Sequence, residues 1–467
     1  MNTFERRVSL PLSPTELFAW HEREGAFRRL CPPWDPVEMI HNDGHIRDGA
    51  QVKLRVRGPM GVPLSLEVLH QGYEAGVQFQ DRQVRGPFAH WLHTHTTAPE
   101  EDPQRATLID SIQYKLPLGL FGELGGGSMV RHRLAQLFHY RHQVMRHDLA
   151  LHERFGAERL HFAISGSSGL LGQELCALLS TGGHRVTRLT RAPAEGARIW
   201  RTPEEVPNLD DVDVVIHLAG ESVAERWTSA KRKRILESRT LRTRALAHAL
   251  ADARARGVTR TRALICASGV GYYGYRGHGD QLLDESAPLG EGFLAEVCEQ
   301  WEGGCEPAIE AGLRVVKARI GVVLSPQGGA LGKLLLPFSL GLGGPVGSGA
   351  QWMSWISIHD VVGALYECAG QPDLEGPVNL TAPHPTTNRE FVKTLGRVLS
   401  RPTLIPAPAF ALKIAFGEMA SETILGSQRA TPSKLIQSGY PFLHQRLEEA
   451  LRFELGRVSS ETLNAPG

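Results

Sequence analysis

Paired cysteines, an excess of either charge and long apolar runs are all missing from this chain. Its six cysteines, at 31, 176, 266, 298, 305 and 368, include no C-x-x-C pair. That removes the thioredoxin-type and paired-cysteine zinc motifs, and the usage suits a reducing, cytoplasmic compartment. The 51 Lys and Arg face 50 Asp and Glu, a formal net charge of +1, which argues against bulk attraction to nucleic acid or a membrane surface. No run of about 18 uncharged apolar residues occurs, so no membrane span is expected. Met1 is followed by the polar NTFERR rather than an apolar core, so no secretion signal is expected either. At 467 residues the chain is too long for one ordinary core, and two or three domains are expected.

The most informative stretch present is LHFAISGSSGLLGQELCALLSTGGHRVTRLTR, residues 160–191. A short apolar run, Leu160 to Ile164, leads into Gly166-Ser167-Ser168-Gly169-Leu170-Leu171-Gly172. An amphipathic segment follows, and His184 to Leu189 then alternates as a second strand. Strand, glycine turn, helix and strand in that order read as the pyrophosphate site of a Rossmann unit. Gly166 permits the tight turn, Gly169 lets backbone approach phosphate, and Gly172 lets the helix pack on the strand. The helix N-terminus offers N–H groups and a positive dipole end to the anion. Sites for NAD place Asp or Glu about 20 residues beyond the glycines; here Thr190 and Arg191 stand there, with Arg188 nearby and no acid until Glu195. A guanidinium suits a 2′-phosphate, so NADP is favoured and NAD left open. Val212 to Leu218 is a further apolar strand. Leu218, Ala219 and Gly220 at its end let backbone lie along a dinucleotide. The G-x-x-G-x-x-G spacing resembles the short-chain dehydrogenase/reductase superfamily, in its extended, epimerase-like branch.

Residues 1–156 have a different texture. Phe4 to Leu10 alternates as a strand, and Ser13-Pro14-Thr15-Glu16 opens a helix. Strand-like stretches follow at Gln51 to Arg57, Leu64 to Leu69, Val77 to Arg82, Trp91 to Thr97 and Ala106 to Leu116, and Met129 to Phe155 is helical in pattern. One early helix, a run of strands and a long last helix make an α+β plan. That order, with AFRRLCPPWDPVEMI and GPFAHWLHTHT, resembles the START-like, or SRPBCC, helix-grip superfamily, which implies a domain that holds a hydrophobic ligand. His90, His93 and His95 invite a metal reading, but no cysteine or carboxylate cluster stands nearby in sequence, and no metal is expected.

In the dehydrogenase superfamily, a Ser or Thr after the next strand polarises the substrate carbonyl, and a Tyr-x-x-x-Lys helix carries the proton donor. Leu264 to Ser268 is that strand here, leading to Tyr272 and Tyr273. The helix expected to bear the pair has Phe293 in place of Tyr and Val297 in place of Lys, and the usual Asn of the preceding helix is replaced near Arg239. Ser268, Tyr272, Tyr273 and Glu296 are the substitute catalytic candidates. A glycine-rich loop, Gly341 to Gly349, precedes Trp352 and Trp355, which are candidates to stack a substrate ring.

The stretches GYYG, DESAPLGEGFLAEVCEQWE, GGALGKLLLPFSLGLGGPVGSGAQWMSWISIHD and GPVNLTAPHPTTNREF resemble the atypical short-chain dehydrogenases called epimerase-family or nucleoside-diphosphate-sugar epimerase-like proteins. The resemblance runs from about Leu160 to Leu455. The expected domains are a START-like domain over 1–156, an α/β Rossmann domain with a doubly wound parallel sheet over 159–400, a small helical extension over 401–455 and a disordered tail over 456–467. Within that extension, Pro408 to Leu425 reads as one helix. The implied function is an NADP(H)-binding oxidoreductase acting on a small or apolar carbonyl compound. A non-catalytic NADP(H) sensor or hydrophobic-ligand carrier, and a nucleotide-sugar epimerase, are the alternatives.

Overall fold

The structure is a computed structural model that describes residues 1–57, 62–117 and 120–464. The chain divides into two compact units, one built mainly from Met1–Ala150 and one mainly from His184–Glu454, with Leu151–Leu179 in the second. The division falls inside the long helix that ends at Phe155.

Among the described residues the first unit holds a seven-stranded antiparallel sheet. Its strands, in spatial order, are Asn2–Leu10, Ala106–Lys115, His90–Pro99, Gln78–Arg85, Pro63–Glu74, Gln51–Arg57 and Glu38–Asn42. All the strands read from the alternating pattern are present; Glu38–Asn42, exposed along its whole length, gave no pattern to read. Ser13 and Glu16 close a capping box on the helix Pro14–Glu22. The last helix, Leu120–Phe155, begins nine residues before the expected Met129, because three consecutive glycines (125–127) hide its first turns from a propensity reading. Val8, Leu10, Leu108, Leu17, Trp20, Met145 and Leu149 form one apolar cluster. Phe4, Ile112, Tyr114, Leu134 and Phe138 form a second, which also takes in Leu463. Leu463 belongs to a short helix, Ser460–Asn464, within the stretch expected to be disordered from 456. The sequence offers no acid beside His93 and His95, the ground for expecting no metal. Strand pairing overturns that ground by bringing Asp81 opposite His93 and Asp110 opposite His95.

The second unit is built on a seven-stranded parallel sheet ordered Ala197–Ile199, Arg185–Thr190, His161–Ser165, Val214–His217, Ala263–Gly269, Arg314–Ile320 and Gly376–Leu380. The strands His161–Ser165 and Val214–His217 are buried at every position, as expected where helices cover both faces. One face packs Leu175, Leu178, Val361, Val362 and Leu365 from the helices Leu170–Thr181 and Ile358–Gly370. The other packs Leu246, Leu250 and Ala308 from the helices Ser229–Ala255 and Glu306–Glu310. The chain runs outward in one direction from His161–Ser165 and in the other from Val214–His217, so the sheet has its switch point between those two strands. In such sheets ligands bind in the crevice beyond the carboxyl ends there. The C-terminal part carries the helices Asn388–Leu399, Ala409–Phe416, Ser433–Gln437 and Leu447–Glu454. The single helix expected over Pro408 to Leu425 is broken at Gly417, whose φ is 62°, and resumes as a π turn at Ala420–Ile424. No helix among the described residues is long and apolar enough to cross a membrane.

Candidate functional site

At the switch point the strand His161–Ser165 ends in Gly166, with φ at 70°, where a Cβ would stand 2.8 Å from the carbonyl carbon of Leu218. The Gly169 N–H donates to Gly166 O at 3.0 Å, closing the turn. The helix then starts at Leu170, and a Cβ on Gly172 would lie 2.3 Å from Gly166 O and 2.6 Å from Ser167 Cα. Only glycine lets the first helical turn sit this close to the strand end. Ser167 is buried beneath the turn, while Ser168 and Gly169 are exposed at the helix N-terminus, where the first N–H groups have no intrahelical partner. Leu218 and Ala219 run beside Gly166 and Gly220 follows them, so expected cofactor residues of both loops are brought together. The cradle is one that a pyrophosphate fits, with Leu170 and Leu171 in the first turn.

At the end of the second strand, Thr190 Oγ1 donates to Ala192 O at 2.7 Å and Arg191 is exposed. Arg242 comes up from the helix Ser229–Ala255, lies over the Trp200 ring at 5.0 Å and donates to Trp200 O and Arg201 O. Burial lowers the Arg242 pKa, and the positive charge of Arg191 lowers it further. Two guanidinium groups therefore lie near one another at the end of the second strand, a pairing invisible in the linear sequence.

The catalytic candidates fare differently from one another. Ser268 is buried and its hydroxyl donates to Glu302 Oε1 at 2.7 Å. Arg319 grips both oxygens of Glu302 at 2.9 Å and donates to the Tyr273 hydroxyl at 3.2 Å. That hydroxyl in turn donates to Asn379 Oδ1 at 2.7 Å. Tyr273 is wholly buried, and burial pushes its phenol up to about 12. Ser268 and Tyr273 are thus tied into one buried polar network with Glu302, Arg319 and Asn379. Glu296 does not join them: it lies on the exposed face of the helix Phe293–Gly303 and accepts from Gln300 at 3.2 Å. Tyr272 alone is half-exposed, with the Arg319 guanidinium 3.4 Å from its ring centroid.

Phe293 and Val297 are buried with Ile235, and Phe293 packs its ring 5.1 Å from Trp227. The positions of the usual Tyr and Lys are therefore apolar core. The N-terminal end of that helix is held by Glu422 of the C-terminal part, whose two oxygens each accept at 2.8 Å, one from Phe293 N and one from Leu294 N. Of the two substrate candidates, Trp355 is fully buried and donates to His384 O, so it belongs to the core. Trp352 is half-exposed, donates to Asp280 at 2.8 Å and carries Arg429 4.2 Å over its ring.

Two residues that reading the sequence missed, and a third it noted only for replacing the usual Asn, join the site. Arg319 and Glu302 form its buried ion pair; of the two arginines in the strand RVVKARI it is Arg319 that is buried. Arg239 stands where the usual Asn is replaced. Its guanidinium carbon would meet a Cβ on Gly220 at 3.1 Å, it lies 4.9 Å over the Trp301 ring, and it donates to Ile235 O. Burial lowers its pKa.

Comparison with known proteins agrees with this architecture. Residues 162–380 match the NAD dependent epimerase/dehydratase family, and residues 407–454 match a domain of unknown function, DUF1731. An epimerase family protein of Mycobacterium bovis is 46% identical over 301 residues, 63% of this chain and 97% of the relative. A crystal structure described as the nucleoside-diphosphate sugar epimerase from Corynebacterium glutamicum is 32% identical, with a TM-score of 0.78, and covers 97% of this chain and 90% of its own. The human epimerase family protein SDR39U1 (isoform 2), solved with NADPH, is 32% identical with a TM-score of 0.59 over 64% of this chain and all of its own. With nearly half its residues shared along almost the whole length of the mycobacterial relative, the chain belongs to the epimerase family of NAD dependent epimerase/dehydratase proteins.

Proposed function

We propose that this protein binds NADP(H) at the carboxyl edge of its parallel sheet and reduces a small or apolar carbonyl compound there. What carries the reading is the pairing of a pyrophosphate cradle at Gly166–Gly172 with two arginines, Arg191 and Arg242, at the end of the second strand. The 2′-phosphate would gain charge-assisted hydrogen bonds from these guanidinium groups, and the human relative was solved with NADPH. The bound cofactor supplies the hydride. Tyr272 is the residue best presented to hand a proton to the carbonyl oxygen, and the Arg319 guanidinium against its ring is positioned to meet the charge left behind. Support for an apolar substrate comes from exposed apolar residues on adjacent segments, Leu336, Leu340, Leu404, Ile405, Phe410 and Ile414. They lie next to the stretch after Gly220, to which Lys333 and Arg226 join them by hydrogen bonds to Ala224 O and Ile414 O.

A second reading, an NADP(H)-binding sensor or ligand carrier without turnover, is favoured by one observation: Phe293 and Val297 are packed in the core and cannot transfer a proton. NADPH oxidation across a panel of aldehydes and ketones separates the two. Under the first reading oxidation occurs, survives Tyr273→Phe and falls at least tenfold in Tyr272→Phe. NADPH binding with no oxidation leaves the sensor. Absence of NADPH binding at millimolar cofactor sinks both. For the first unit, the antiparallel sheet and long last helix support a START-like ligand domain, and its interior is not uniformly apolar.

A further inference from the structure

Inside the first unit, histidines and aspartates gather on one face of four adjacent strands. His70, Asp81 and His93 stand opposite one another across three strands. His95 and Asp110 form the next row along the same face. His93, His95 and Asp110 are buried, at 4, 7 and 3% exposure, and His70 is buried at 7%. The imidazole nitrogens of His93 and His95 and a carboxylate oxygen of Asp81 all lie within 4.8 Å of one another.

Asp110, which is buried, and Asp81, whose side chain is 24% exposed, need positive charge in such a place. Among the described residues no Lys or Arg makes an ion pair with either; their close partners are imidazoles. Moreover, several short distances in the cluster are not hydrogen bonds. His95 Nδ1 stands 2.8 Å from Asp110 Oδ1, and His70 Nδ1 stands 2.8 Å from Asp81 Oδ1, yet both nitrogens and Asp81 Oδ1 lack a hydrogen-bond partner. Buried polar atoms normally find partners. An unsatisfied nitrogen of His95 and an unsatisfied oxygen of Asp81 thus belong to two of the three residues whose ligand atoms converge.

We infer that Asp81, His93 and His95 form a binding site for a divalent first-row transition metal ion. Two imidazoles and one carboxylate are the donor set that zinc and iron(II) take, and three protein ligands leave a coordination position for water or a ligand oxygen. Asp110, accepting from His93 Nε2 at 3.0 Å, is the outer carboxylate that orients the imidazoles. Phe79, stacked 4.3 Å from His95, closes one side. A ligand held in this unit would then be recognised by an oxygen-bearing head at the metal as well as by apolar contact.

The test uses the untagged full chain, stripped with a chelator, reloaded with Zn2+, freed of excess and assayed for zinc by mass spectrometry, with calorimetric titration for affinity. One zinc per chain is expected in the unmodified protein and in His90→Gln, a change on the same strand outside the cluster. Asp110→Asn is expected to weaken binding about 10- to 100-fold, and Asp81→Asn or His95→Gln to abolish stoichiometric binding while far-ultraviolet circular dichroism stays that of the unmodified chain. Should these variants unfold, the Co2+ complex of the unmodified chain decides. Intense visible bands of a four- or five-coordinate nitrogen and oxygen site support the assignment, and the weak spectrum of hydrated surface ions overturns it. Less than stoichiometric zinc in the unmodified chain, or full zinc in folded Asp81→Asn and His95→Gln, also overturns it.

Discussion

Adding one methyl group at Gly169 or at Gly172 is expected to give two different failures, and the difference tests the cradle directly. At Gly172 the new Cβ would stand 2.3 Å from Gly166 O and 2.6 Å from Ser167 Cα, about 1 Å inside ordinary contact. Both neighbours are backbone, so relief requires the helix to slide away from the strand. Overpacking of this kind costs about 1–3 kcal/mol, against about 1 kcal/mol that alanine returns over glycine within a helix. The net expectation is a loss of stability together with a displaced helix N-terminus. At Gly169 the same methyl would meet only Gly166 O, at 3.3 Å, a contact that a few tenths of an ångström relieve. The Gly169→Ala protein should therefore unfold within about 0.5 kcal/mol of the unmodified chain, while its methyl stands where phosphate must approach. A tenfold rise in the NADPH dissociation constant, about 1.4 kcal/mol, is the least expected. Urea unfolding of the cofactor-free chain and NADPH titration by fluorescence read the two quantities separately. Unchanged NADPH affinity in Gly169→Ala would refute the placement of pyrophosphate over this turn, and an undiminished unfolding midpoint in Gly172→Ala would refute the close helix–strand packing.

Three further outcomes follow from other parts of the second unit. Thr190→Asp with Arg191→Ala should lower NADPH affinity about ten- to a hundredfold and bring NADH level or ahead; Arg242→Ala should act in the same direction, and a preference unchanged in all variants would mean that neither arginine meets the 2′-phosphate. Glu302→Ala removes one partner of a buried pair and leaves Arg319 without its counter-charge, a loss of about 3–5 kcal/mol in chemical denaturation, whereas Glu302→Leu with Arg319→Met should recover a large part of it. His217 is fully buried, and burial, assisted by the charge of Arg242, holds its pKa at about 3 against an ordinary 6.5. Its folded pKa is depressed, so its share of stability is present above 6.5 and is lost as pH falls from there toward 3, at about 1.4 kcal/mol per pH unit. His217→Gln should flatten the pH dependence of urea unfolding across that window by about this slope, and an unaltered slope would show that His217 is charged in the folded protein.

The parts legible in the sequence are those whose residues are neighbours along the chain. Gly166, Gly169 and Gly172 lie within one strand–turn–helix, and a local pattern of glycines and apolar spacing is enough to read their roles. The unbroken apolar runs that end at Ser165 and His217 likewise announce central strands. The catalytic surroundings are assembled across strands instead. Ser268 stands opposite Arg319, and Arg319 opposite Asn379, in one row of three parallel strands, while Glu302 and Tyr273 arrive from a helix and a turn. No spacing along the chain encodes such a row, so the hydrogen bonds that join Ser268 and Tyr273 to Glu302, Arg319 and Asn379 could not be read from it.

The histidine cluster repeats the lesson with a usable signal attached. Along Ala106–Lys115 the buried positions alternate as Ala106, Leu108, Asp110, Ile112 and Tyr114, so a carboxylate occupies an inward place in an otherwise apolar series. Arg319 is likewise buried within its own strand, at 3% exposure. An ionisable side chain at an inward position of a strand costs several kcal/mol unless a partner meets it. The partner must come from another element, because the next residue on the same face of the strand is two positions away. An ionisable residue buried within a strand therefore marks a polar site assembled with other elements. In this chain Arg319 leads to the network behind Tyr272, and Asp110 leads to the imidazoles of His93 and His95.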